Sequence, residues 1–102
     1  MDKFTKKGGS WVASHKKLSV KLSGKCVSVT HSENGIEAIL RFQEVIDNIS
    51  DAEFFYSPNQ GRCAILLPSE LGHLDVVDVG MSLVVRNFNK QGVMLQSVTA
   101  NI

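Results

Sequence analysis

The chain lacks the spacings by which small proteins usually declare a chemistry. Its only cysteines, Cys26 and Cys63, are 37 residues apart with no second pair and no Cys-x-x-Cys. A disulfide framework or a thiolate zinc site therefore has no scaffold here, and both thiols are expected to be reduced. His15, His31 and His73 are scattered too, without the paired spacing that a metal site needs. No run of about 18 apolar residues exists, which excludes a spanning helix and gives no reason to invoke a membrane. The basic start MDKFTKKGGSW is not followed by an apolar stretch of the secretory kind, so the expected location is cytoplasmic.

Catalytic signatures are missing as well. Gly8-Gly9-Ser10 lacks the following lysine of a phosphate loop, and no dinucleotide fingerprint occurs. Carboxylates are dispersed, and where Asp47, Asp51 and Glu53 gather in sequence they read as solvated loop residues, without calcium-loop spacing. Cys63 with His31 or His73 as base is the one nucleophilic pairing to weigh. Cys63 sits in the apolar run RCAILL, where a small core residue is the simpler reading. The expectation is a non-catalytic protein with no metal, no cofactor and no small-molecule substrate.

What is present is a polarised charge. Lys3, Lys6, Lys7, Lys16, Lys17, Lys21 and Lys25 against Asp2 give residues 1–32 a formal charge of +6. The other seventy residues carry four cations against nine acids, or −5, so the net +1 conceals an electrostatic direction. With 102 residues, 43% apolar and 21% charged, the chain has enough apolar material for one modest core. Residues 1–9 offer that core only Phe4 and read as a flexible basic arm, leaving 10–102 as a single β-rich domain.

From Leu18 the pattern has a period of two. Leu18, Val20 and Leu22 alternate with Ser19 and Lys21, and Val27, Val29 and His31 with Ser28 and Thr30. A turn at Ser23-Gly24 sets Val20 against Val27 and Leu18 against Val29. Asn34-Gly35, a preferred two-residue hairpin loop, sets His31 against Ala38, Val29 against Leu40 and Val27 against Phe42. Both turns put the apolar residues on one face, and leave Lys21, Ser28, Thr30, Glu37 and Arg41 together on the other. Residues 36–49 also carry a helical stripe, with Asn34 as cap and Glu37 three residues on. The hairpin is preferred through Arg41 or Phe42 because it also accounts for the strand before it, and a short helix near Glu44–Ile49 can follow.

Further strands are expected at Phe54–Tyr56, Cys63–Leu67, Leu74–Val79, Ser82–Arg86 and Val93–Thr99, with one helical turn at Pro68–Leu71. Six or seven short strands predict an all-β or β-dominated fold, a small antiparallel barrel or sandwich of the OB- or SH3-like kind. Residues 22–29, LSGKCVSV, resemble the opening strands of an Sm-like domain. The resemblance covers those eight residues, implies a small, strongly bent barrel, and brings no functional residue with it.

Two roles follow. The first is nucleic-acid binding, with Lys16, Lys17, Lys21, Lys25 and Arg41 for phosphate and Trp11 for base stacking. Phe54, Phe55 and Tyr56 are further stacking candidates. The second is protein binding or homo-oligomerisation through the apolar run GVMLQSV, if it forms an edge strand.

Overall fold

A computed structural model describes residues 2–15, 17–43, 45–46, 49–57, 62–68, 71–79 and 81–101. The strands are β1 (Asp2–Lys3), β2 (Thr5–Lys7), β3 (Ser10–His15), β4 (Leu18–Ser23), β5 (Cys26–His31), β6 (Glu37–Arg41), β7 (Glu53–Ser57), β8 (Arg62–Leu66), β9 (His73–Asp78), β10 (Ser82–Phe88) and β11 (Met94–Asn101). Among the described residues, helix is confined to a 3₁₀ turn at Ile49–Asp51 and the 3₁₀ position Leu71, and none is long and apolar enough to cross a membrane. The expected helices near Glu44–Ile49 and Pro68–Leu71 fall partly outside the described residues.

The fold is all-β: two antiparallel sheets, ordered β2-β3-β4-β5-β6 and β1-β7-β8-β9-β10-β11. We call them the first and second sheets. Apart from β1, which pairs with β7, each is a meander of consecutive strands, because short connections between alternating runs make chain neighbours pair. Of the two architectures expected, barrel or sandwich, the molecule takes the layered one and does not close into a barrel.

Period-two patterning builds the interior. Leu18, Val20, Leu22, Val27, Val29, Ala38 and Leu40 point in from the first sheet. Phe54, Cys63, Ile65, Leu74, Val76, Leu83 and Val85 meet them from the second, and all belong to one apolar cluster.

The pairings differ from the expected ones by two residues. The first turn is Gly24-Lys25, with Ser23 opposite Cys26 and Val20 opposite Val29. The second is a longer loop, so Val27 faces Leu40 and Val29 faces Ala38. His31 N–H donates to Ile36 O at 2.8 Å, and Asn34 Oδ1 accepts the Ile36 N–H at 3.0 Å. Asn34 therefore folds its own side chain into the loop instead of occupying a two-residue turn. A two-residue slip keeps every side chain on its face, so the outward group of Lys21, Ser28, Thr30, Glu37 and Arg41 survives.

The expected arm over residues 1–9 is corrected for the part described. Asp2–Lys3 pairs with β7 in the second sheet and Thr5–Lys7 with β3 in the first. Between them Phe4 is buried and meets Phe54 edge-on, ring centroids 6.4 Å apart at 88°. A single well-buried aromatic stabilises by about 1.5–3 kcal/mol, enough with the two ladders to order so short a segment.

His31 ties the two sheets together from inside. It is 4% exposed, and its Nε2 lies 3.0 Å from Asp78 Oδ2 on β9, pinning one sheet to the other. Its Nδ1 accepts the Glu33 N–H at 3.3 Å, so in the neutral ring Nε2 carries the proton and donates to Asp78.

Among the described glycines, one has no substitute. Gly72, in the β8–β9 connection, has φ +78°, and a Cβ there would collide with the carbonyl oxygen of Phe88. Gly24 has φ +56° but open space around it. Gly24→Ala should therefore cost only the left-handed backbone penalty, about 1–2 kcal/mol. Gly72→Ala should cost more than that, since backbone must also move. Urea unfolding of the two variants measures the difference, and equal losses would contradict the close approach.

Candidate nucleic-acid interface

Part of the charge polarity carries over to the sheets: the strands of the first carry Lys6, Lys7, Lys21 and Arg41 against Glu37, and those of the second Lys3, Arg62 and Arg86 against Asp2, Glu53, Asp75 and Asp78.

On the first sheet's outer face the ladders align residues into rows. One row is Thr5, Val12, Lys21, Ser28 and Ile39. Beside it on one side run Ser14, Ser19, Thr30 and Glu37, and on the other Lys7 with Ser10, and Ser23 with Cys26 and Arg41. The surface is thus hydroxyl-rich with interspersed cations. Lys21, Ser23, Ser28 and Arg41 line one shallow depression, and Lys3, Thr5, Lys7 and Ser14 line another. Glu37, the acid on this face, accepts from Ser28 Oγ at 2.9 Å and Thr30 Oγ1 at 3.4 Å, and Arg41 Nη1 lies 3.3 Å from Cys26 Sγ.

The residues picked from sequence do not all gather there. Lys21 and Arg41 share the face. Lys25 stands exposed in the adjoining turn, where its carbonyl accepts the Phe42 N–H at 2.7 Å. Lys17 lies at the other end of β4, six residues or roughly 20 Å from the Lys25 end. There it pairs with Glu33 at 3.6 Å. Lys16 lies outside the described residues. Trp11 sits opposite Leu22 on the inward side of β3, packed against the core and away from Lys21. Of the other stacking candidates, Phe54 is fully buried, Tyr56 packs against the core, and Phe55 stands on the outer face of the second sheet. Lys7 is the addition that sequence reading missed. Its signal was the Gly8-Gly9 pair between two β-compatible runs, a hairpin cue.

The second sheet's outer face is of another kind. Phe55, Ala64, Leu66, Val77, Val84 and Phe88 surround Asp75, whose carboxylate is gripped by Arg62 at 2.9 and 3.0 Å and by Arg86 at 2.5 Å. The Arg86 guanidinium lies over the Phe88 ring at 5.6 Å, and His73 stacks on the same ring at 5.2 Å. Burial by itself would raise the Asp75 carboxyl, but the hydrogen bonds and charges of Arg86 and Arg62 outweigh it and hold the group below the usual carboxylate range.

The pairing of Cys63 with a histidine is not formed. Burial, with a smaller push from the Asp75 charge, raises the Cys63 thiol to about 12, so it stays protonated at neutral pH. His73 points to the opposite face of its sheet, and both nitrogens of His31 are engaged by Asp78 and Glu33. Among the described residues no three metal-ligating side chains gather.

Since the Asp75 carboxyl is lowered by folding, its contribution is fully present above about pH 4 and is lost as pH falls through the lower folded value. In urea titrations between pH 2 and pH 6, Asp75→Asn should lose less stability on acidification than the parent chain. Parallel pH profiles would contradict the double-arginine grip. Comparison with known protein families, with curated proteins and with solved structures found no match.

Proposed function

We propose that the outer face of the first sheet binds nucleic acid through the sugar–phosphate backbone, without catalysis. The observation that carries the reading is the convergence of Lys7, Lys21 and Arg41 with serine and threonine hydroxyls on one outward surface. Lys25 adds a cation at its end. Lysines supply counterion-releasing phosphate contacts, and short hydroxyls supply backbone hydrogen bonds that ignore base identity.

With four cations engaged, affinity for single strands should fall with a log–log salt slope of about −3. Lys21→Ala should lower the slope by close to one unit, and Lys17→Ala, remote and already paired with Glu33, should leave it nearly unchanged. Fluorescence anisotropy with labelled oligonucleotides from about 50 mM salt upward measures both. Absence of salt-dependent binding to single-stranded DNA, duplex DNA and RNA would sink the proposal.

A second reading rests on β11. Among the described residues this strand has β10 on one side and no ladder partner on the other, and Val93, Met94 and Leu95 at its start are all more than half exposed. Neither charge nor proline guards the strand, so backbone pairing with a second protein strand is open to it. Light scattering over a concentration series should then give a mass rising above 11.2 kDa. A constant monomer mass would remove self-association.

A further inference from the structure

The two sheets approach each other along one side, where the end of β6 meets β10 and β11. A cavity of about 520 Å³ occupies that seam, lined by Arg41, Phe42, Gln43, Asn87, Leu95 and Gln96. Its size falls within the range of about 300–1,000 Å³ typical of small-ligand sites.

Three features make it a built site. First, Asn87 is 1% exposed, and its Nδ2 donates to His73 O at 3.1 Å and Leu71 O at 3.3 Å. Those carbonyls fix which way the amide points, because a flipped oxygen would face two acceptors. Its Oδ1 has no partner among the described residues, yet it is not sealed in: the one sealed, unpartnered side-chain atom among them is Arg86 Nε. The oxygen therefore opens on the cavity that the residue lines. Second, Gln96 lies directly across the ladder from Asn87, and its Nε2 donates one of its two hydrogens to Arg41 O at 2.9 Å, which orients the amide and leaves Oε1 available. Third, the β10–β11 ladder shifts here, pairing Asn87 with Gln96 but Phe88 with Met94. Leu95 is the extra residue of a bulge, a device that re-aims side chains at sites.

The site thus offers two neighbouring amide acceptors, one further N–H on Gln96, apolar walls from Phe42 and Leu95, and Arg41 at its rim. Arg41 lines both this cavity and the depression on the outer face. We infer that the seam cavity holds a guanine base, with its phosphate toward Arg41, an inference that rests on the nucleic-acid reading of the adjoining face. Guanine alone among the common bases presents two adjacent donors, N1–H and the 2-amino group. Adenine and cytosine carry a single donor group, beside a ring acceptor, for the two amide oxygens. Uracil and thymine have one donor between two carbonyls.

The test compares an oligo-dT strand with the same strand carrying one central dG, and GMP with IMP, which lacks the 2-amino group. The dG strand should bind about tenfold more tightly, the worth of one to two hydrogen bonds. GMP should shift the side-chain amide signals of Asn87 in NMR spectra more than IMP does. Leu95→Trp, at an exposed position, should fill the cavity and erase the dG preference while leaving the salt-dependent binding of oligo-dT. Equal affinity for the two strands, with Asn87 signals unmoved by GMP, would overturn the inference and leave the surface reading standing. Shifts at Asn87 from GMP without any binding of oligo-dT would support the cavity and overturn the surface reading.

Discussion

Both sheets of this protein have to share one apolar interior, and the rest of the structure follows from that constraint. The interior is one residue layer from each sheet, and it closes at the N-terminal side because a short strand leaves one sheet at Lys3 and joins the other at Thr5. Phe4 is the pivot of that crossing. Its edge-on contact with Phe54 ties the start of the chain to the first strand of the second meander, over a sequence distance no local interaction could span. The polar pair of His31 and Asp78 is a second tie between the layers, and it is satisfied at both imidazole nitrogens. That satisfaction matters, because a buried ring nitrogen left without a partner costs about 1–3 kcal/mol.

With the interior assigned, each outer face is what alternation leaves over, and the two leftovers differ. The first sheet exposes hydroxyls and cations, the second an apolar surface around a single carboxylate held by two arginines. Magnitudes separate the charged groups by role. Lys17 and Glu33, both more than half exposed, form an ion pair of the kind worth about 0–1 kcal/mol, and it removes Lys17 from the free cations. Asp75, with a side chain 14% exposed and two guanidiniums on it, is a structural group whose charge is already answered. Lys7, Lys21 and Arg41 are the cations that face outward together, and the proposed nucleic-acid reading rests on that arrangement.

Much of this was legible in the residue pattern, and the losses have physical causes. The strands of LSVKL and CVSVTH, their common apolar face and the outward grouping of Lys21 with Arg41 all follow from a period of two. The pairing partners were displaced by two residues because turn geometry depends on side-chain hydrogen bonds such as that of Asn34, which composition does not reveal. Trp11 was read by its chemistry as a stacking group, but its position opposite Leu22 assigns it to the core side. The N-terminal segment was read as an arm because its ladders are short and its one anchor, Phe4, needs a pocket supplied by residue 54.

By itself the sequence determined the fold class, the facing of each strand's side chains and the charge polarity, since all three are periodic or compositional and need only neighbouring residues. Tertiary structure alone decided which cations stand together, the bond between His31 and Asp78, the glycine demanded at position 72, and the seam where Asn87 and Gln96 meet Arg41. Those depend on how two meanders stack, and stacking brings together residues whose separation along the chain carries no local signal.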